Sequence, residues 1–142
     1  MSSILLVFPA LVTWLALGVY FFVFLNAGRS RRKHNVLAPS MDGPPEFLRA
    51  QRVQTNTVEQ LVFFLPALWL FALYMNPLWA AILGSIWVIG RIIYALAYYK
   101  EASKRTAGFI ISAFATLILW VGSLWGIINV ILVLTRISQP AA

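Results

Sequence analysis

Four apolar runs, at about 4–25, 47–75, 78–99 and 107–134, fill most of this chain. Each is long enough for a helix to cross the hydrocarbon core of a bilayer, which takes roughly 20 residues. Hydrophobic residues make up 61% of the 142 positions and charged ones only 11%, with a mean hydropathy of +0.84. That balance excludes an ordinary soluble domain and predicts an all-α integral membrane four-helix bundle, one domain over 1–142. The run at 4–25 has no basic residue before it and Arg29, Arg31, Arg32 and Lys33 after it. It is expected to be a retained first helix with a stop-transfer flank, not a cleaved signal.

Polar residues inside these runs fall at helical spacing. Arg52, Asn56 and Glu59 stand at i, i+4 and i+7, and Arg91, Tyr94 and Tyr98 at i, i+3 and i+7. Each set forms one narrow stripe on its helix. An ionisable group at membrane depth costs several kcal/mol unless it meets a partner or a wet cavity, so both stripes are candidate site residues. The second run is longer than a bilayer requires, and its polar first half, through Glu59, is expected to reach the headgroup zone or line a cavity.

The connections differ in chemistry. Residues 26–46 form a basic loop ending in Gly43-Pro44-Pro45-Glu46, Met75-Asn76-Pro77 is a tight turn, and 100–105 is a short charged link in which Ser103 is the expected N-cap of the fourth helix. Of 11 Lys and Arg, only Arg136 falls near the opposite end of the bundle from the two charged loops, apart from Arg91 within the third run. The positive-inside rule therefore places loops 26–46 and 100–105 on the cytoplasmic side and both termini opposite. This distribution orients a membrane protein and gives no reason to invoke nucleic acid. With no cysteine and a lone His34, neither a thiolate metal site nor a cysteine nucleophile is available, and no metal is expected.

Guanidinium groups grip carboxylates in bidentate fashion, a carboxylate can hold an ammonium, and amides and phenols can hold a peptide backbone. Arg52, Gln54, Asn56 and Glu59 on the second helix, Arg91, Tyr94 and Tyr98 on the third and Arg105 before the fourth suit a small anionic peptide with one amine. Glutathione has two carboxylates, an α-amino group, two amide links and a thiol. A fixed cation such as Arg105 beside the sulfur would raise its thiolate fraction, and the apolar bundle offers a dock for a lipophilic second substrate.

The stretch Gly43-Pro44-Pro45-Glu46-Phe47, followed by Arg49, Arg52, Gln54, Asn56 and Glu59, and then Arg91, Tyr94, Tyr98 and Arg105, resembles the membrane-associated proteins in eicosanoid and glutathione metabolism (MAPEG). The pattern is nearest to the leukotriene C-forming and microsomal glutathione transferase branches, although Gln60 stands where the leukotriene-forming members carry a tyrosine. The resemblance implies a homotrimer with glutathione between neighbouring subunits. It implies that Arg52, Asn56, Glu59, Tyr94 and Tyr98 hold the tripeptide, that Arg31 and Gln54 assist, and that Arg105 stabilises the thiolate. Arg32 would face the lipid substrate, an electrophile or a lipid hydroperoxide.

Simpler roles stand beside these. Arg52 and Glu59 can be an intramembrane ion pair, Arg91 a structural partner of Glu59 or of backbone carbonyls, Tyr94 and Tyr98 interfacial anchors, and the 29–33 cluster a topogenic or lipid-binding flank. Two other functions remain open: a four-helix proton-coupled multidrug exporter built around Glu59, and a non-catalytic lipid-binding scaffold of the same fold. Arg52 and Arg91 beside Glu59 would repel the cationic drugs such an exporter carries.

Overall fold

A computed structural model describes residues 2–138, with side chains from residue 4 onward. A helical turn, α1 (Ser2–Leu5), leads through Leu6 into α2 (Val7–Lys33). Then come α3 (Pro45–Tyr74), α4 (Pro77–Lys100), a 3₁₀ turn (Ala102–Arg105) and α5 (Thr106–Ile137). Among the described residues, α2 to α5 are the helices long and apolar enough to cross a membrane. α3 and α4 pack against each other and each against both α2 and α5, so they form the centre of the bundle.

Local chemistry sets the helix ends. Pro9 has no N–H for the carbonyl four residues back, and the chain breaks between α1 and α2 at Leu6. Pro44 is extended, with ψ of 159°, and Pro45 occupies the first turn of α3, where a missing N–H costs nothing. Between α3 and α4 the Asn76 side chain caps the new helix, its Oδ1 accepting from Leu78 N at 2.9 Å and Trp79 N at 3.1 Å.

Two expectations need correction. The first helix does not stop where its apolar run stops: α2 continues to Lys33, so Arg29, Arg31, Arg32 and Lys33 belong to a helix and not to a loop. Arg and Lys are good helix formers, and cations in a last turn complement the helix dipole, so loss of hydrophobicity marks the membrane boundary and not the helix end. Ser103 does not cap α5 either. Its hydroxyl donates to Glu101 within the 3₁₀ turn, and α5 starts after Arg105 without a side-chain cap.

The core is arranged around Phe64 and Trp87, whose rings stack 4.0 Å apart and within 3° of parallel, with Val12, Ala16, Leu68 and Leu119 about them. A second cluster of Val23, Val53, Tyr94, Ala95 and Tyr98 lies toward the basic end of the bundle. Small residues allow close approach where α4 meets α5: a Cβ on Gly108 would fall on the Tyr94 backbone and 2.7 Å from the Gly90 carbonyl oxygen. Large apolar side chains including Phe21, Trp120, Trp125 and Ile131 are exposed, the surface a bilayer solvates.

Candidate functional site

The buried stripe of α4 includes Gly84, Trp87, Arg91, Tyr94 and Tyr98. Arg91 therefore shares a face with core aromatics, and its side chain is fully buried. It donates to Asn56 Oδ1 through both terminal nitrogens, each at 3.2 Å, and to Thr57 Oγ1 at 2.8 Å, while its Cζ lies 4.0 Å from the centre of the Tyr94 ring. Among the described residues no carboxylate neutralises it. With Oδ1 engaged by Arg91, the Asn56 amide nitrogen is turned toward Glu59, donating to Oε2 at 3.3 Å. Arg91 thus reaches the surface of the bundle only through Asn56. Its structural partner is this amide, not Glu59.

The tyrosines connect this network to α5. Tyr94 and Tyr98 meet edge to face at 5.5 Å, and Arg105 Nη1 donates to the Tyr98 hydroxyl at 3.0 Å. Both rings are buried, whereas the Arg105 side chain is exposed. A short link positions it: Glu101 holds Ser103 and, at 2.9 Å, Lys104, which keeps the Glu101 carboxyl below the usual carboxylate range.

Arg52, Asn56, Tyr94, Arg105, Thr106 and Phe109, from α3, α4, the 3₁₀ turn and α5, line a cleft of about 390 Å³. Neither of its two arginines has a carboxylate partner among the described residues, so the cleft carries uncompensated positive charge flanked by amide and phenol groups. Glu59 lies close by on the same stripe of α3, also without an ionic partner among the described residues. An ion pair between Arg52 and Glu59 is therefore not what holds either in place within the bundle.

Gln54, Arg31 and Arg32 lie elsewhere. They line a second cleft of about 410 Å³ between α2 and α3. Gln54 donates to the Tyr20 hydroxyl at 3.2 Å. Arg31 organises the following loop, donating to the Ser40 carbonyl at 2.7 Å and lying 5.2 Å from the Phe47 ring centre, while Arg32 is exposed. The predicted residues thus fall into two groups on different faces of the bundle.

Thr57 and Gln51 also shape the region without having been singled out from sequence, and Arg49, read there only as part of the family pattern, has a structural role. Gln51 donates to the Ala27 carbonyl at 3.0 Å, tying α3 to α2, and Arg49 to the Tyr99 carbonyl at 3.2 Å, tying α3 to α4. The signal for Thr57 lay in its spacing: Val53, Thr57, Leu61 and Phe64 are one buried stripe, and a hydroxyl there needs a partner.

A four-helix transmembrane bundle with a cationic, tyrosine-flanked cleft at its basic end defines a class of small integral multi-pass membrane proteins. The sequence profile of the MAPEG family matches residues 9–125, and the chain belongs to that family. An uncharacterized protein of Synechocystis sp. is 48% identical over 90% of this chain and 93% of its own length. Human microsomal glutathione S-transferase 2 is 39% identical over 62% of this chain and 60% of its own length. Guinea pig (Cavia porcellus) leukotriene C4 synthase is 36% identical over 73% and 69%.

Proposed function

We propose that this chain is a membrane-bound glutathione transferase that holds glutathione as its thiolate for attack on a lipophilic electrophile, with lipid hydroperoxides as a second class of acceptor. The observation that carries this reading is the convergence of Arg52, Asn56, Tyr94 and Arg105 on one cleft with no acid among the described residues to neutralise either arginine. Family membership alongside glutathione transferase relatives supports it. Arg52 and Arg105 bind the carboxylates and the sulfur, Glu59 takes the ammonium, and Asn56, Tyr94 and Tyr98 orient the peptide. Arg91 works through Asn56.

A homotrimer completes the site. Glu59 is 15 residues, about 22 Å, from the far end of α3, which places an exposed carboxylate within the hydrocarbon layer unless something covers it. A neighbouring subunit presenting its α2–α3 cleft would cover Glu59 and bring its own Arg31, Gln54 and Arg32 to the tripeptide and the second substrate. The basic end of α2 with the connection to α3, and the 100–105 link, then face the cytoplasm.

Chlorodinitrobenzene turnover in detergent tests this function. In Glu59→Gln the KM for glutathione is expected to rise about ten- to a hundredfold, the loss of one hydrogen bond to a charged group, with a smaller change in kcat. Proton-coupled drug efflux from proteoliposomes, abolished by the same substitution, would replace the transferase by an exporter. Lipid binding unaffected by glutathione, without turnover, would leave a scaffold.

A further inference from the structure

On the side of the bundle where α2 meets α4, two cavities follow one another along the same helix faces. Leu15, Val19, Phe22, Ile92, Ala95 and Leu96 are among the residues lining an apolar groove of about 310 Å³. Toward the loops, Asn26, Arg29 and Lys33 follow Phe22 on α2 at about one, two and three helical turns, and Lys100 follows Leu96 on α4 at about one turn. These line a cleft of about 570 Å³ that also includes Arg49 and Glu46 from α3. Glu46 is the acid on this cleft, and it engages Lys33 at 3.2 Å and His34 at 3.6 Å. Arg29, Arg49 and Lys100 have no carboxylate partner among the described residues.

We propose that the α2–α4 groove is a binding site for an anionic phospholipid, its acyl chain lying between Leu15 and Phe22 and its phosphate among Arg29, Arg49 and Lys100. The dimensions agree: Leu15 to Asn26 spans about 16 Å along α2, close to the roughly 15 Å of one leaflet's hydrocarbon. Charge complementarity selects the headgroup, because three uncompensated cations at the end of an apolar trough suit a net negative phosphodiester and give a zwitterionic one little advantage. The apolar trough in turn favours a lipid over a free phosphate. None of the residues lining the groove or the cationic cleft lines the cavity holding Arg52, Asn56, Tyr94 and Arg105, so the lipid is a separate ligand and not the second substrate at that site. Arg29 also borders the α2–α3 cleft invoked for the transferase site, whereas Lys100 does not, so Lys100→Gln is the variant that separates the two readings.

Titration of the detergent-purified protein followed by native mass spectrometry, with phosphatidylglycerol, phosphatidylcholine of the same chains and soluble glycerol phosphate, tests the site. Phosphatidylglycerol is expected to bind most tightly and glycerol phosphate not at all. Arg29→Gln and Lys100→Gln should each reduce the preference for phosphatidylglycerol about fivefold. Gly18 lines the groove, and a Cβ placed there meets nothing within 4 Å. Gly18→Phe should therefore fill the groove and weaken binding of both lipids, with unfolding still cooperative in their absence. Equal affinity for the two lipids, glycerol phosphate binding as well as phosphatidylglycerol, or a preference untouched by the charge substitutions would each overturn the proposal. Should Gly18→Phe fail to fold, the two charge variants decide the matter alone.

Discussion

Arg105→Ala is expected to abolish the ultraviolet thiolate absorbance of bound glutathione at neutral pH while the tripeptide still binds. A free thiol ionises near pH 8.5, and an opposite charge within a few Å lowers such a value by about 1–3 units. Removing the cation should return the bound sulfur toward its free value and cut the thiolate fraction at pH 7 about eight- to thirtyfold, to the roughly 3% of an unperturbed thiol, with kcat falling alongside it. The sign gives a further check. The deficit should be largest near neutrality and shrink above about pH 8.5, where the thiol ionises unaided. Tyr98 makes the distinction from a folding defect possible, because its hydroxyl accepts from Arg105 but its ring packs independently in the core. Losing the exposed guanidinium should leave that cluster, and the thermal unfolding midpoint in detergent, nearly unchanged.

Gly108→Ala is expected to produce the largest structural effect. The new Cβ would lie 2.6 Å from Tyr94 Cα and 2.7 Å from the Gly90 carbonyl oxygen, and these are backbone atoms that no rotamer change can move. α4 and α5 must separate. Overpacking of this kind costs typically 1–3 kcal/mol, and contact with backbone on the opposing helix places this case at about 3 kcal/mol or beyond. Because Gly108 is one turn from Arg105 and abuts Tyr94, separation also widens the cleft, so glutathione affinity should fall together with stability. Gly18→Ala is the control. It enters open space in a helix and, by propensity alone, should be neutral or stabilise the protein by up to about 1 kcal/mol. Equilibrium unfolding of both variants in the same detergent provides the comparison.

The bundle was readable because the bilayer imposes a simple demand: long apolar runs must be helices, and Pro44-Pro45 and Asn76-Pro77 mark where two of them begin. The end of α2 was not readable from hydropathy, since Arg29 to Lys33 leave the membrane without leaving the helix. The site was readable as a set of residue types and only partly as geometry. Spacing placed Arg52, Asn56 and Glu59 on one face of α3. It also placed Arg91 in register with Trp87, yet only the packing of α3 on α4 shows that its guanidinium turns inward to Asn56 and Thr57. That Gln54 and Arg31 lie on a different face from Arg105 depends on how α2, α3 and α5 are arranged about one another, which no single helix encodes.

The most direct test is calorimetric titration of the wild-type protein with glutathione at pH 7 in buffers of different ionisation enthalpy, which reports both binding and proton release. A thiol that is mostly protonated in solution and ionised when bound must give up its proton, so we predict saturable binding with release of close to one proton per occupied site, about one at full ionisation. Saturable binding without proton release would contradict the thiolate mechanism, and the absence of any saturable heat would contradict the site itself.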